Sequence, residues 1–336
     1  MTAPTVDDWQ SAVDLLTGAD EVVLACHVGP DGDALGSMLG LGMALRDRGT
    51  RVLASFGSEP FEVPGAYSFL PGLDLLVPVD RVPAAPELMV TLDTGSADRL
   101  GSLAARASAA KAVLVVDHHA SGAPYGTHAL VDESAAATAV LVAGLVDRLG
   151  VELSADIASA LYTGLTTDTG SFKYAATTPA VHALAARLLS TGIRADLISR
   201  AVWDTASFGW VRLLGAVCAR ATLEPAAVNG LGLVWTCVEL ADLAGNGLGL
   251  ADVEGVIDVL RTAEEAEVAV VVKADPVEGG YKVSTRSKGG VDVGSICAAL
   301  GGGGHRFAAG FTAHQDVERT LGELRAALAD APHLPA

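Results

Sequence analysis

Cysteine is scarce in this chain of 336 residues, and its spacing points to no cross-link. The four cysteines (Cys26, Cys218, Cys237 and Cys297) form no CxxC pair, which argues against a thiolate metal motif and a disulfide framework. Long apolar runs are also missing, and the N-terminus lacks the basic-then-apolar pattern of a secretion signal. These absences predict a cytoplasmic protein with reduced thiols and no membrane contact.

Basic and aromatic residues are few as well. Lysine and arginine number 22 against 40 aspartates and glutamates, the formal net charge is −18, and aromatic residues make up 5%. Proteins that bind long DNA or RNA draw their affinity from many cation–phosphate contacts and from stacked rings. The composition therefore argues against a long nucleic-acid duplex as partner, whereas a small anionic ligand held by metals and a few local cations remains compatible with it.

Short apolar segments alternate with helical patterns in the first half of the chain. The predicted strands are 21–26, 51–55, 87–93 and 111–117, and the predicted helices are 34–48, 97–110, 134–149, 154–167 and 179–190. Wholly apolar strands separated by helices are typical of a parallel sheet that is covered on both faces. We therefore expect an α/β domain with a parallel sheet.

The second half restarts this pattern after a helical connector. Residues 194–222 are predicted to form one long helix. Strands are then expected at 231–240, 267–275 and 281–287, and helices at 251–263, 293–300 and 316–330. The predicted organisation is a parallel-sheet domain (1–192), a helical linker (193–222) and a smaller α/β C-terminal domain (223–336).

Acidic and imidazole side chains follow the predicted strands of the first domain. His27, Asp31 and Asp33 come after the first strand, Asp93 ends the third, Asp117, His118 and His119 end the fourth, and Asp168 closes a later helix. Each has an ordinary explanation when taken alone, since Asp33 could cap the next helix and the segment 30–33 could be a turn. In open α/β sheets, however, the carboxyl ends of the strands meet at one edge.

So many carboxylates in a small volume would repel one another unless cations lie among them. Carboxylates combined with imidazoles suit Mn²⁺ or Mg²⁺ better than zinc. The ligands are too many for one ion and fit two ions about 3.5–4 Å apart that share a carboxylate, an arrangement used in phosphoryl chemistry. The sequence thus predicts a two-metal site, with Mn²⁺ expected and Mg²⁺ as the alternative.

Six segments resemble, in order and spacing, the motifs of one family. In the first half they are HVGPDGDALGS (27–37), LDTGSADRLG (92–101), VVDHHAS (115–121) and TTDTGSF (166–172), which resemble the motifs of the DHH phosphoesterase superfamily. In the second half VSTRS (283–287) and GGGGHRFAAG (301–310) resemble the signature of the DHH-associated C-terminal domain. The compact two-domain form is similar to the NrnA-type oligoribonucleases (nanoRNases), which also act on 3′-phosphoadenosine 5′-phosphate (pAp).

The resemblance implies a role for each acid and imidazole. The implied ligands are His27 and Asp31 for one Mn²⁺, Asp33, His118 and Asp168 for the other, and Asp93 for both. Asp117 would orient a ligand imidazole, and His119 would face the substrate as a catalytic group or steady the site.

The second domain is expected to supply positive charge and hydrogen-bond donors to the substrate. Arg286 has a fork that can bind a phosphate by two hydrogen bonds, and His305 could protonate the leaving oxygen. Glycine backbone can approach an oxyanion closely. The predicted substrate contacts are Arg99, His119, Ser284, Arg286, Ser287, Gly302, Gly303, Gly304 and His305. Arg99 could equally pair with an acid of the metal site.

The implied function is Mn²⁺-dependent hydrolysis of short oligoribonucleotides and dinucleotides, linear or cyclic, to mononucleotides, together with dephosphorylation of pAp to AMP. The expected chemistry is attack by a hydroxide formed between two metal ions. The expected partners are short RNA, dinucleotides and pAp, and a homodimer is expected because relatives commonly self-associate.

Three alternatives stay open at this point. A family II inorganic pyrophosphatase shares the metal motifs, but its second domain lacks GGGGHRFAAG. A RecJ-like single-strand DNA exonuclease usually carries further nucleic-acid-binding modules. A non-catalytic nucleotide sensor would lack at least one metal ligand, and none is missing here.

Overall fold

The computed structural model describes residues 3–119 and 125–334, which form two compact units. The first unit extends to Thr205 and the second begins at Ala206. In the described part of the chain, no helix combines the length and the apolar character needed to cross a membrane.

A five-stranded parallel sheet forms the centre of the first unit. Its strands are β1 (Glu21–Cys26), β2 (Arg51–Phe56), β3 (Leu88–Leu92), β4 (Ala112–Asp117) and β5 (His128–Val131). They lie in the order β2-β1-β3-β4-β5, and every neighbouring pair is parallel. The chain leaves β1 toward one side of the sheet and later returns to β3 on its other side, so the order switches between these two strands, where open α/β sheets bind ligands.

Helices cover this sheet on both faces, as the unbroken apolar strands require. The helices are α1 (Val6–Gly18), α2 (Gly32–Asp47), α3 (Ala104–Ala109), α4 (Thr138–Arg148), α5 (Ala155–Asp168), α6 (Pro179–Leu189) and α7 (Ala195–Trp203). The larger core lies between the sheet and helices that include α2, α4 and α5. A smaller core on the other face includes Val23, Met89 and Leu100.

Two glycines let α2 and α5 approach closely. A Cβ at Gly36 would come within 2.3 Å of the Ala160 carbonyl oxygen, and a Cβ at Gly164 would come within 2.6 Å of Asp33 Oδ1. Any larger residue would push the helices apart. The pair therefore places Asp33, in the first turn of α2, against the helix that ends at Asp168.

The second unit contains a six-stranded mixed sheet. Its strands are β6 (Thr222–Glu224), β7 (Leu233–Val238), β8 (Val268–Ala274), β9 (Tyr281–Ser287), β10 (Gly303–His305) and β11 (Ala308–Ala313). They lie in the order β10-β11-β9-β8-β7-β6; β7 and β8 are parallel, and the other neighbouring pairs are antiparallel.

Helices pack on both faces of this sheet as well. They are α8 (Phe208–Ala219), α9 (Ala227–Gly230), α10 (Leu240–Asn246), α11 (Val256–Leu260), α12 (Val293–Ala299) and α13 (Val317–Ala329). Successive residues of β8 enter opposite cores: Val270 joins the core with residues of α12 and α13, whereas Val271 joins the core with residues of α8, α10 and α11. The predicted fold class, a parallel-sheet α/β domain followed by a smaller α/β domain, is confirmed.

The prediction of one long helix over 194–222 is wrong. α7 ends at Trp203, and α8 begins at Phe208, where Ser207 Oγ accepts a hydrogen bond from the Trp210 N–H at 3.1 Å. This serine cap starts a new helix, and the boundary between the units lies in the break. The helix predicted over 251–263 is also too long, because a 3₁₀ turn at Ala251–Val253 precedes α11.

Candidate metal centre and substrate-binding face

Asp93 lies at the switch point, directly after β3, in a strained backbone conformation. Its φ is +55°, and the residue is 2% exposed. A non-glycine residue in this region costs about 1–3 kcal/mol and persists where its surroundings fix it. The turn places Oδ2 3.5 Å from His27 Nε2 and Oδ1 3.5 Å from His118 Nε2. One buried carboxylate therefore lies between two imidazoles, with one oxygen toward each.

The first cluster is formed by His27, Asp31 and Asp93. His27 Nδ1 lies 2.9 Å from the Val28 carbonyl oxygen, which only accepts, so Nδ1 carries the proton. Nε2 then faces Asp31 Oδ2 at 3.8 Å. The other Asp31 oxygen caps α2 by accepting from the Asp33 and Ala34 N–H groups, both at 3.0 Å. Asp31 is thus the α2 cap, and the cap role considered for Asp33 is wrong.

The second cluster is formed by Asp33, His118 and Asp168. His118 Nδ1 lies 3.1 Å from the Ala135 carbonyl oxygen, so Nδ1 again carries the proton. Its Nε2 lies 2.9 Å from Asp168 Oδ2 and 4.0 Å from Asp33 Oδ2.

Asp33 is fully buried and is held by donors from two helices. Its carboxylate accepts from the N–H groups of Thr138 (2.6 Å) and Ala139 (3.0 Å) and from Ser37 Oγ (3.0 Å). It therefore caps α4, whose own N-cap residue, Ala137, has no side-chain oxygen.

Asp117 organises the turn that carries both histidines. Its Oδ1 accepts from the His118 N–H at 2.7 Å, from the His119 N–H at 3.1 Å and from His119 Nδ1 at 2.7 Å. His119 Nδ1 also lies 3.5 Å from Asp93 Oδ1. The ring that Asp117 holds is thus that of His119, while the His118 ring is held by the Ala135 carbonyl. The two motif residues that follow, Ala120 and Ser121, lie outside the described residues.

The carboxylates control the protonation of the imidazoles. Burial lowers the pKa of His27, but Asp31 and Asp93 outweigh it and raise this pKa to about 10. Burial likewise opposes charging of His118, yet Asp168 and Asp33 raise its pKa to about 10. Both rings thus take up a proton where carboxylates surround Nε2.

The pKa values of the carboxylates are shifted in opposite directions. Burial, reinforced by Asp93 and Asp31, raises the pKa of Asp168 to about 6 although His118 opposes it. Burial and then Asp168 raise the pKa of Asp33 well above its ordinary value. Burial also disfavours the charged form of Asp93, but the three histidines hold its pKa below the usual range. The centre requires positive charge to neutralise it.

The donor set fits divalent metal ions. Within each cluster, one ligand atom from each of the three residues lies within 4.8 Å of the others. Both imidazoles donate Nδ1–H to a backbone carbonyl and direct Nε2 at carboxylates, which is how metal-bound histidines are usually oriented. Oxygen and imidazole donors without thiolate suit Mn²⁺ and Mg²⁺. Asp93 belongs to the first cluster, and its Oδ1 lies 3.5 Å from His118 Nε2 of the second, which is where a carboxylate shared by two neighbouring ions would lie.

Two residues near this centre were not predicted from the sequence. Thr138 donates its hydroxyl to Asp93 Oδ1 at 3.0 Å and its N–H to Asp33. The Tyr67 phenol lies against the backbone N–H of Gly32, where burial, and then Asp31 and Asp168, raise its pKa. Both residues come from segments without a recognisable motif, so only the folded chain reveals them.

Arg99 lies near the first cluster. Its positive charge opposes protonation of His27 and lowers the pKa of the Cys26 thiol against the larger effect of burial. Its carbonyl oxygen accepts from the Val28 N–H at 2.8 Å. The guanidinium is thus a cation beside the acidic centre.

One face of the second sheet gathers most of the predicted substrate contacts. Arg286 is in register with Ala308, and Ala308 with His305, so Arg286 and His305 lie on the same face across β11. In the adjacent row, Ser284 is in register with Gly310 and Gly310 with Gly303. Small residues on the central strand leave this face open between the functional side chains.

Two of the predicted contacts have other duties. Ser287 lies on the opposite face, where its hydroxyl donates to Glu267 Oε1 at 2.7 Å and accepts from the Gly289 and Val291 N–H groups. The Gly302 N–H donates to the Cys297 carbonyl oxygen at 2.8 Å, at the end of α12. Neither residue is included among the proposed substrate contacts. The Ser287 hydroxyl lies on the opposite face of the sheet, and the Gly302 N–H is already bonded at the end of α12.

Residues 303–305 form β10, an edge strand paired with β11. Gly304 has φ +140°, and a Cβ there would come within 2.6 Å of the Ala308 carbonyl oxygen, whereas no atom lies within 4 Å of a Cβ built on Gly303. Gly304 is required by the hairpin, and Gly303 lies in open space.

A parallel sheet with this strand order and an acid–imidazole centre at its switch point defines the class of protein. The N-terminal domain of the DHH family matches residues 21–165, and the DHHA1 domain matches residues 237–331. The chain belongs to the DHH family and is a hydrolase of phosphate esters.

Particular relatives extend the likeness to nearly the whole chain. The Thermus thermophilus protein named bifunctional oligoribonuclease and PAP phosphatase NrnA is 37% identical, with 93% of this chain and 92% of the relative covered. The Bacillus subtilis protein of the same name is 27% identical, with 91% and 94% covered. An exopolyphosphatase-related protein from Bacteroides fragilis has the same fold, with a TM-score of 0.87, 24% identity and 96% of each chain covered.

Proposed function

We propose that this protein is a Mn²⁺-dependent phosphoesterase that hydrolyses short oligoribonucleotides and dinucleotides to mononucleotides and dephosphorylates pAp to AMP. Linear and cyclic dinucleotides are both included among the substrates. The observation that carries the proposal is Asp93, whose two oxygens lie 3.5 Å from imidazoles of different clusters. The names of the Thermus and Bacillus relatives support the substrate class.

The first unit would hold the metals and the reacting phosphate. The proposed ligands are His27 and Asp31 for one ion, Asp33, His118 and Asp168 for the other, and Asp93 for both. Two divalent ions bound there supply an activated water and neutralise the charge of a phosphate ester. Thr138 and the N–H groups at the start of α4 hold Asp33 and Asp93 in place, so that the ligands are oriented before substrate binds.

His119 is proposed to handle a proton at the substrate. Its Nδ1 is held by Asp117 at 2.7 Å, which fixes the ring, and Nε2 would exchange a proton with a phosphate oxygen. Arg99, beside His27, would contact a substrate oxygen or balance the acids of the centre.

The second unit would bind the nucleotide. Arg286 offers two parallel N–H donors to a phosphate, Ser284 adds a hydroxyl on the same face, and His305 adds a third donor that can protonate a leaving oxygen. Gly303 and Gly304 leave the edge strand accessible to a phosphate between these groups. Arg286 supplies a local cation in a chain of net charge −18, and so few cations favour short substrates over long polymers.

A substrate panel tests this function. The protein is stripped of metal and assayed with 5′-labelled dinucleotide, cyclic dinucleotide, pAp, pyrophosphate and long single-stranded DNA, with added Mn²⁺, added Mg²⁺ or neither. The proposal expects mononucleotide release from dinucleotides and AMP from pAp only when metal is added, with Mn²⁺ more effective than Mg²⁺.

The alternatives give different outcomes in the same panel. Pyrophosphate as the preferred substrate would identify a pyrophosphatase, and degradation of the long strand would identify a RecJ-like exonuclease. Binding without turnover of any substrate would identify a nucleotide sensor. A homodimer is proposed alongside the activity, and sedimentation equilibrium would contradict it by giving the mass of a single 34.0 kDa chain.

A further inference from the structure

Lys273 is an unusual residue in the apolar strand β8. It is 2% exposed and follows five residues that are all buried and apolar (Val268–Val272). Lysine is almost never buried at this level without a partner, because its charge loses hydration. The partner is Glu254, whose Oε1 lies 2.5 Å from Lys273 Nζ.

Glu254 differs sharply from its partner in exposure. It lies just before α11, and its side chain is 59% exposed, against 3% for that of Lys273. An exposed glutamate normally samples many rotamers, which is why surface ion pairs contribute little. Here a buried ammonium binds one carboxylate oxygen and fixes the orientation of the group. The result is an oriented acceptor that reaches solvent.

The register of the sheet places this acceptor on the face of Arg286. Lys273 is in register with Lys282, and Ala269 with Arg286, so the side chains of all four share one face. Burial lowers the pKa of Lys273 most, Glu254 opposes this, and the charge of Arg286 lowers the pKa further, as expected for two cations on one sheet face.

Lys282 and Arg286 lie near opposite ends of β9. They are four positions apart, a span of about 13 Å along the strand. In the row between them, Val271 is covered by the core of α8, α10 and α11, whereas Ser284 and Gly310 are partly exposed and carry no long side chain. A nucleotide whose phosphate binds Arg286 can extend its sugar and base over Ser284 toward Glu254, beside the covered part of β8.

A carboxylate repels phosphate but accepts hydrogen bonds from O–H and N–H groups. We propose that Glu254, oriented by Lys273, recognises the nucleoside part of the substrate by accepting a hydrogen bond from a sugar hydroxyl or a base amino group. This inference rests on the proposed function, since it assumes a nucleotide on the Arg286 face. It assigns Lys273 as the positioning residue for Glu254.

A purely structural pair would behave differently. If the Glu254–Lys273 pair only joins α11 to β8, its removal lowers stability and affects every substrate equally. If Glu254 recognises the nucleoside, its removal raises KM for nucleotides alone. A phosphodiester without a nucleoside, bis(p-nitrophenyl) phosphate, separates the two cases.

The experiment compares Glu254→Ala, Glu254→Gln and Lys273→Met with the wild type on pAp and on bis(p-nitrophenyl) phosphate. Glu254→Ala is expected to raise KM for pAp about tenfold, or about 1.4 kcal/mol, the order of one charge-assisted hydrogen bond. Its kcat on pAp and both constants on the diester should stay within about twofold. Glu254→Gln, which keeps an acceptor oxygen, and Lys273→Met, which keeps the carboxylate but frees it, should give smaller rises.

Glu87→Ala is the matched control, since Glu87 binds Lys111 at 2.5 Å before β3, at the amino end of the first sheet. It should leave KM unchanged. The sugar and base donors are separated with 2′-deoxy-pAp and with the pAp analogue lacking the 6-amino group. The wild type should bind one of these two analogues about tenfold more weakly than pAp. The Glu254→Ala variant should bind that analogue and pAp equally well.

An unchanged KM for pAp in Glu254→Ala, or equal losses on pAp and the diester, would overturn the inference. Failure of the proposed function appears instead in the wild type, as turnover of the diester without turnover of pAp or any dinucleotide.

Discussion

The two compact units of this chain neutralise their acidic groups in different ways. In the second unit, acids are paired with nearby basic side chains: Glu224 with Arg325 at 2.6 Å, Glu254 with Lys273 at 2.5 Å and Glu278 with Lys282 at 2.6 Å. In the first unit, the buried acids at the sheet edge face imidazoles and one another. These three acids of the second unit are thus neutralised by side chains of the same unit. In the described part of the chain, the buried acids at the sheet edge of the first unit have no lysine or arginine among their ion-pair partners, and they are the proposed ligands of added cations.

This difference indicates different roles for the two units. Buried like charges destabilise a fold unless something neutralises them, so a cluster of them indicates a functional site. The first unit is therefore the proposed site of the metals and their chemistry. The second unit presents Arg286 and Ser284 on one sheet face, which suits the proposed recognition of an anionic nucleotide.

The largest expected effect is that of Asp93→Asn. Asparagine adopts the left-handed conformation at this position readily, so the fold should persist while the shared charge is lost. We expect turnover of dinucleotides and pAp to fall by at least about 10²–10³-fold, the effect of removing one group that stabilises the transition state. Asp147→Asn, at an ion pair with Arg187 elsewhere in the first unit, is the control and should keep full activity. A substantial residual rate in Asp93→Asn would refute the shared carboxylate.

Removal of metal should destabilise the first unit selectively. A ligand present at 100 times its Kd stabilises the folded state by about 2.7 kcal/mol, and here it also removes the repulsion among the acids. Amide hydrogen exchange with and without chelator should show loss of protection in α2 and α4, with β8 and β9 unchanged. Equal loss of protection in both units would show that metal does not stabilise the first unit selectively.

Arg286→Lys should weaken nucleotide binding without loss of metal. Lysine keeps the charge but not the two parallel donors, so KM for dinucleotides is expected to rise by about tenfold or more. His305→Ala should instead lower kcat if the imidazole protonates the leaving oxygen. Metal content measured in the same preparations is the control, and a fall in bound metal in either variant would contradict the division of labour.

The smallest expected effect concerns the pH dependence of the second unit. Hydrogen bonds from Arg325, opposed by slight burial, hold the pKa of Glu224 below its ordinary value of 4.5. Its contribution is therefore fully present above pH 4.5 and is lost as the pH falls through the lower folded pKa. Because the pair is partly exposed, Glu224→Gln should cost at most about 1 kcal/mol at pH 7.

This cost should shrink toward zero at low pH. The cost is measured by hydrogen exchange of the β6 and β7 amides, with the protection of wild type and variant compared at pH 7 and at a pH well below 4.5. An equal cost at neutral and low pH would show that the carboxylate charge is not what stabilises this edge.

The sequence predicted the elements with strong local signals. β1, β3 and β4 are unbroken apolar runs, and a parallel sheet brings their ends together, so the meeting of His27, Asp93 and His118 followed from topology. β5, with only four residues and an initial His128, lacked such a run and was missed. The break between α7 and α8 was missed because a serine within a helical pattern does not by itself indicate a cap. Only the structure shows that Ser207 caps the start of α8.

Long-range contacts escaped for a different reason. Thr138 binds Asp33 and Asp93, which lie 105 and 45 residues away in the chain, and no local pattern encodes such a contact. Ser287 was predicted as a substrate contact from its motif, and only the strand pairing shows that it lies on the opposite face from Arg286. The Glu254–Lys273 pair was likewise invisible until α11 was seen to pack on β8.

The most direct test of the two-cation centre is a metal count. The wild type is equilibrated with Mn²⁺, desalted and analysed for bound manganese by plasma mass spectrometry, alongside Asp93→Asn. Two ions per wild-type chain and a clear loss in the variant are expected. One ion or none in the wild type, or two retained in the variant, would contradict a pair of metals sharing Asp93.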